Sequence, residues 1–259
     1  MKQDCFFDQV AQAVREAGAL FGDRALASQV RCKDRTDFVT QVDVTVQELL
    51  RDKLRQIAPD VQLMGEEKDN SEVDFGGRVW ILDPVDGTTN LVHNFCHSAV
   101  SLALAEEGQL TMGMVYNPYA GELFTARLGG GAFLNGAPIH VSAVLDLAQG
   151  LCSVGTNPSQ REQADDTFRW MRAIYDRCHD VRRVGAASIE LCYVACGRLE
   201  GYVERGLKPW DYAAGMLILR EAGGAATTEY GGEPSLSAGG AIVASNGQIH
   251  SELLSVLRG

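Results

Sequence analysis

The chain has 259 residues, 46% of them hydrophobic, enough for one large domain or two tightly joined ones with a sizeable core and no disulfide staples. Its 34 acidic and 23 basic residues give a net charge of -11, which argues against non-specific binding to nucleic acid or to an anionic membrane, since both need a basic patch. An acidic chain can still bind phosphate if it first binds cations.

The N-terminus, MKQDCFFDQV, carries acids where a secretory segment needs an uninterrupted apolar stretch, and no run reaches transmembrane length, so a soluble, cytoplasmic protein is expected. Phe6, Val10, Ala13, Val14 and Ala17 recur at helical spacing before Gly18 and predict an amphipathic first helix. Val42, Val46, Leu49, Leu50, Leu54 and Ile57 predict a second, ended by Pro59. The short run Val61 to Met64 reads as a strand leading into Gly65-Glu66-Glu67. Strands are predicted over 78–82, 97–105 and 111–116, and GELFTARLGGGAFLNGAPI adds two more, with Asn135-Gly136 as a hairpin signal. No helical pattern follows the glycines at 129–131, which favours a hairpin bend over a phosphate loop.

After about residue 145 the rhythm changes to strand 151–155, helix 164–176, strand 180–184, helix 188–196, strand 199–204 and helix 210–221. That alternation implies βαβ units and a partly parallel sheet, so the chain divides into an N-terminal α+β part, 1–145, and a C-terminal α/β part, 146–259, packed as one body. Seven cysteines, at 5, 32, 96, 152, 178, 192 and 196, are odd in number and contain no C-x-x-C pair, which suggests reduced thiols. His93, His97, His140, His179 and His250 form no metal-spaced set, and surface or structural roles are expected for them.

The chemistry concentrates in WILDPVDGTTN, residues 80–90, where Asp83 and Asp86 lie three apart at the end of a predicted strand. Pro84 stiffens the turn, so both carboxylates and the Val85 carbonyl can point one way, an oxygen set suited to Mg²⁺. The same string also reads as a solvated turn with Thr88 or Thr89 capping a helix, and the string alone does not choose. Glu66 at a strand end and Asp211 after Pro209-Trp210 at a helix start are comparably placed. Four such carboxylates can share a cleft only with cations between them. In KDRTDFVTQVD, Asp37, Thr40 and Asp43 precede the second helix, where Thr40 as its cap and Asp43 in its first turn is the plain alternative to a catalytic role.

Glu66-Glu67, WILDPVDGTTNLVH, DFVTQVD, VYNPYAGELFTA, GGGAFLNG and KPWDYAAGMLILREAGG together resemble the inositol monophosphatase family of Mg²⁺-dependent, lithium-sensitive phosphatases, in its bacterial branch. The resemblance spans nearly the whole chain in the family's order. It implies a layered αβαβα sugar-phosphatase sandwich, with an antiparallel sheet followed by a mixed one, and usually a homodimer. It implies two to three Mg²⁺ ions, with lithium and calcium inhibitory: Glu66, Asp83 and the Val85 carbonyl resemble the ligands of the first ion, Asp83, Asp86 and Asp211 those of the second, and Glu66 also serves a third. Water activated at the metals is expected to attack phosphorus directly, with Thr88 and Asp43 as the orienting pair and Glu66 contributing to catalysis. Backbone N–H groups of Gly87, Thr88 and Thr89 are expected to cradle the phosphate. The substrate is further expected to meet Glu66, Val85, Asp86, Gly185, Ala186, Ala187, Glu204 and Asp211. Relatives often carry Ser or Thr where Ala186 stands, which places a side-chain hydrogen bond there in doubt.

The implied activity is hydrolysis of inositol 1-phosphate to inositol and phosphate. Related members act instead on fructose 1,6-bisphosphate, histidinol phosphate, NADP or 3'-phosphoadenosine 5'-phosphate. The nucleotide phosphatases typically read Lys-Glu after D-G-T, whereas Thr89-Asn90 follow here, which favours the inositol group. A reading of another class is a regulatory module that keeps the fold and binds a protein partner; all five expected ligand positions are filled, which favours catalysis.

Overall fold

The computed structural model describes residues 2–32, 38–66 and 68–258, apart from the side chains of residues 2–4 and 32; Asp37 and Glu67 lie outside the described residues. The chain opens with α1 (Lys2–Gly18) and the short α2 (Arg24–Ala27), then a ribbon of β1 (Val30–Cys32) and β2 (Phe38–Thr40), then α3 (Gln41–Ile57). Next come β3 (Gln62–Gly65), β4 (Arg78–Asp86), the short α4 (Thr88–Val92), β5 (Ala99–Glu106), β6 (Gln109–Asn117), β7 (Glu122–Arg127), β8 (Gly131–Leu134) and β9 (Ala137–Pro138). β3 to β9 form a seven-stranded sheet in sequence order, antiparallel except for β3, which runs parallel to β4 at the edge.

The remainder supplies β10 (Leu151–Val154), α5 (Ala164–Tyr175), β11 (Asp180–Arg182), α6 (Ala187–Ala195), β12 (Gly201–Leu207), α7 (Pro209–Glu221), β13 (Ala225–Thr227), β14 (Gly240–Ser245) and α8 (His250–Arg258). Its five strands are ordered β11-β10-β12-β14-β13, with β10 parallel to β11 and β12, and β14 antiparallel to β12 and β13. The elements expected up to residue 221 are present, with three strands over 122–138 where two were expected; α2, β1, β2, β13, β14 and α8 carry no expectation from the sequence reading, and β13 is only three residues long in a glycine-rich stretch.

Side-chain alternation sorts the core into three slabs. On β4 and β5, Trp80, Leu82, Val100, Leu102 and Leu104 face one way and pack with Val10, Val14, Val46, Leu50 and Leu54 of α1 and α3. Val79, Ile81, Ala99, Ala103 and Ala105 face the other way and pack with α6 and α7, whose far sides meet Tyr202, Ile242 and Ala244 of the second sheet. Cys152, Val154, Val203 and Val243 on that sheet's outer face pack with Trp170 and Ile174 of α5 and Leu253 and Val256 of α8. The layers are helices, sheet, helices, sheet, helices, the αβαβα order. α6 and α7 are apolar all round because both faces are covered, and α1, α3, α5 and α8 are amphipathic because one is not. No helix among the described residues is long and apolar enough to cross a membrane.

Candidate active site

A cleft of about 200 Å³ opens where β4 ends, between the start of α4, the start of α7 and the loop that leads into α6. β4 continues past residue 82 as far as Asp86 and owes its usefulness to an irregularity. Asp83 pairs with Ser101, but Asp86 pairs with Ala99, so three residues on β4 oppose two on β5. Residues three apart on a regular strand point to opposite faces; one extra residue restores Asp86 to the face of Asp83. Pro84, without an N–H, sits in this bulge, and the Asp83 Oδ1 accepts the Val85 N–H at 2.9 Å. The turn and the shared direction of the two carboxylates are therefore one feature.

The helix starts nearby complete the ring. The Ser101 hydroxyl donates to the Trp210 carbonyl at 3.2 Å, which seats the first turn of α7 over the Asp83 face of the sheet. Pro209 opens α7 and the Asp211 carboxylate accepts the Lys208 N–H at 2.6 Å, so Asp211 is both cap and cleft residue. Glu66 follows β3, whose parallel pairing places Gly65 beside Leu82, and it lines the same cleft. Thr40 and Asp43 form the capping box of α3: the Asp43 Oδ2 accepts the Thr40 N–H at 2.8 Å and its hydroxyl at 2.5 Å. The other oxygen, Oδ1, accepts the Thr88 hydroxyl at 3.0 Å, and the Val85 carbonyl lies 3.0 Å from the same Thr88 oxygen. The capping role and the contact with Thr88 are compatible because they use different oxygens.

Burial lifts the Asp83 carboxyl well above the usual carboxylate range, and the charges of Glu66, Asp86, Asp211 and Asp43 lift it further. Burial brings Asp86 to about 6, against hydrogen bonds from Ser188 and Ala187 that lower it, and Asp211 to about 7, against the Lys208 N–H. Among the described residues no three His, Cys, Asp or Glu side chains are already gathered into a metal-holding group. The donors themselves, carboxylates with one backbone carbonyl and no nitrogen or sulfur, suit a hard cation such as Mg²⁺. The charges that act most strongly on the buried Asp83 among the described residues, those of Glu66, Asp86, Asp211 and Asp43, are all acidic, so a cation is a natural counterpart of this cluster.

On the second sheet's side of the cleft, Glu204 lies on the same face of β12 as Tyr202, whose hydroxyl donates to it at 2.6 Å. Room for the Glu204 carboxylate depends on Gly155, where a Cβ would come within 1.8 Å of Oε2. Gly185 holds φ +85, and Ala186 starts α6 without a side-chain cap. The missing cap is supplied from β4: the Asp86 carboxylate accepts the Ala187 N–H at 3.2 Å, the Ser188 N–H at 2.7 Å and the Ser188 hydroxyl. Each carboxylate oxygen has two lone pairs, so Asp86 retains acceptor capacity toward the cleft. Gly87, at φ +84, approaches this loop so closely that a Cβ would sit 3.2 Å from the Ala186 Cβ and 3.0 Å from the His97 carbonyl.

The residues singled out in the sequence thus surround one cleft: Glu66, Asp83, Val85, Asp86, Gly87, Thr88, Thr89, Gly185, Ala187, Glu204 and Asp211 line it, Asp43 bonds to Thr88 behind it, and Ala186 is buried beside Gly87. Others were given no place at the site in the sequence reading. Thr156, Asn157 and Arg183 line the cleft, and among the described lining residues Arg183 carries the only positive charge. Ser188, Asn90 and Glu190 are buried behind it. A glutamate in the first turn of an otherwise apolar helix was the available signal for Glu190.

The family model described as Inositol monophosphatase family matches residues 3–259. An inositol-1-monophosphatase of Rhizobium meliloti is 37% identical over 262 residues, covering 100% of this chain and 98% of its own. The Nus factor SuhB of Vibrio cholerae is 39% identical over 238 residues, covering 91% of this chain and 89% of its own. Among solved structures, the inositol monophosphatase of Anabaena superposes with a TM-score of 0.89 at 31% identity, over 100% of this chain and 97% of that one.

Proposed function

The chain belongs to the inositol monophosphatase family, and from that premise we propose that it is a Mg²⁺-dependent phosphomonoesterase that releases phosphate from inositol 1-phosphate and similar polyol phosphates. The observation that carries the proposal is the β4 bulge, which turns Asp83 and Asp86 to one face, opposite Asp211 and beside the Thr88–Asp43 pair. In this reading Glu66, Asp83 and the Val85 carbonyl hold one ion, Asp83, Asp86 and Asp211 hold a second, and Glu66 also serves a third. Bound Mg²⁺ would neutralise the carboxylates and stabilise charge on the phosphoryl oxygens and the leaving oxygen.

The chain's own groups then have separable tasks. Asp43 accepts a hydrogen bond from the Thr88 hydroxyl, which leaves a Thr88 oxygen lone pair to receive a hydrogen bond from water. That water's oxygen forms the new bond to phosphorus as the bond to the alcohol oxygen breaks; the water gives up one proton toward the Thr88–Asp43 pair and the alcohol oxygen takes one from solvent water, so the proton count is unchanged. The N–H groups at the start of α4 would face the phosphate, as N-terminal amides without intrahelical partners do, and Gly87 lets the 185–186 loop approach them closely. Asp86, the 185–187 backbone, Glu204 and Asp211 meet the ring hydroxyls.

Asp211→Asn is the cleanest test, because the amide oxygen can still cap the Lys208 N–H while the charge is lost. Turnover is expected to fall at least ~10²-fold for Asp211→Asn and for Asp86→Asn, and to vanish in excess chelator. Near-normal rates in both variants, or full activity with chelator, would refute the site. A turnover panel of inositol 1-phosphate, fructose 1,6-bisphosphate, histidinol phosphate and 3'-phosphoadenosine 5'-phosphate identifies the substrate. A relative named a Nus factor supports a second, regulatory reading; it predicts that the catalytically inactive Asp211→Asn protein still restores the phenotype of a deletion strain.

A further inference from the structure

The geometry points to Glu190 as a positioning residue that fixes the loop facing the substrate's alcohol end, an inference that rests on the polyol phosphatase reading. Glu190 lies in the first turn of α6 and is 0% exposed. Its Oε1 accepts the Ser153 hydroxyl and, at 3.1 Å, the Val184 N–H; its Oε2 accepts the Gly185 N–H at 3.3 Å. From the opposite side the buried Asn90 Nδ2 donates to the Val184 carbonyl at 3.0 Å and the Gly185 carbonyl at 3.2 Å. The peptide groups of residues 184 and 185 are thus gripped by an acceptor on one side and a donor on the other. They belong to neither β11 nor α6, so no ladder or helix holds them.

Three donors converge on Glu190, and only an acceptor-only group satisfies all of them. A carboxylate does so, and a glutamine of the same shape cannot, because its amide would turn a donor against one of the N–H groups. Buried donors left unpaired are costly, so the loop moves rather than tolerate the mismatch. Ala187 and Ser188 are tied separately to Asp86, which keeps the metal-facing end in place while residues 184 and 185 shift. The effect should therefore fall on recognition of the alcohol and spare the phosphate end.

The test uses the full-length protein with Mg²⁺ and the variants Glu190→Gln and Ser153→Ala. For Glu190→Gln, KM for inositol 1-phosphate is expected to rise about 10-fold with kcat nearly unchanged, while p-nitrophenyl phosphate, which has no polyol, changes less than about 2-fold. Ser153→Ala removes one donor without creating a clash and should move KM the same way by less. Hydrogen exchange followed by mass spectrometry should show faster exchange in the peptide spanning Val184 and Gly185, by about 10-fold in Glu190→Gln, with α7 unchanged. An equal loss on both substrates, or unaltered exchange at 184–185 in a folded Glu190→Gln protein, overturns the inference. If the wild-type protein fails to cleave inositol 1-phosphate, the polyol reading falls, and the exchange measurement decides the role of Glu190 by itself.

Discussion

At the scale of single residues, several side chains hold the fold and the cleft at once. Asp43 completes the box that starts α3 and bonds Thr88; Asp211 caps α7; Asp86 caps α6 from another element. A helix N-terminus offers unpaired N–H groups and favours negative charge, so the buried Asp43 and Asp86 and the half-buried Asp211 are stabilised by helix starts, while Asp86 and Asp211 also line the cleft. Gly87 shows how little space this leaves. Gly87→Ala would place a Cβ 3.0 Å from the His97 carbonyl at φ +84, a backbone conformation that costs an alanine about 1–2 kcal/mol. A lower thermal midpoint together with a marked loss of turnover is expected; wild-type values for both would show that the close approach of Gly87 to the 185–186 loop is dispensable.

At the scale of elements, α7 is the joint. It packs on β4 to β8 with one side and on the second sheet with the other, and its start carries Asp211 to the cleft. The approach to β6 is close because Gly113 has no side chain: a Cβ there would come within 2.7 Å of the Ala214 carbonyl. Gly113→Ala must push α7 off the sheet, at a cost of about 1–3 kcal/mol, and move Asp211 with it. Its thermal midpoint should drop and its turnover fall although Gly113 lies outside the cleft; retention of full turnover would sink the assignment of α7 as the element that sets Asp211. For the same reason we propose that 1–145 and 146–259 are two parts of one folding unit.

At the scale of the whole molecule, a net charge of -11 is drawn inward at one place, where Asp83, Asp86, Asp211 and Glu66 share a cleft. Ligand binding to the folded state stabilises it by mass action, and cations compete with protons for the same oxygens. Asp86 and Asp211 have folded-state values raised to about 6 and about 7. Raised carboxyl values mean that their protonated forms favour folding, and that this contribution is lost as pH rises from the ordinary carboxylate range through those values. Magnesium should restore what deprotonation removes. The rise in thermal midpoint on adding millimolar Mg²⁺ is therefore expected to be larger at pH 7.5 than at pH 5, and a rise of equal size at both would count against these carboxylates as its ligands.

The sequence by itself determined the long helices and most of the strands up to residue 221, the periodicity of their apolar faces and the acids worth watching. Those are local properties: periodicity, a proline, a glycine, a cap. It left WILDPVDGTTN between a turn and a metal site because the direction of Asp86 depends on pairing with β5, and strand register is a contact between distant residues. Asn90, Ser188 and Glu190 were hidden for the same reason, their partners lying up to 102 residues away in sequence. Tertiary structure alone decided that the bulge, three helix starts and a braced loop meet in one cleft, because only packing fixes which distant polar groups must satisfy each other once water is excluded.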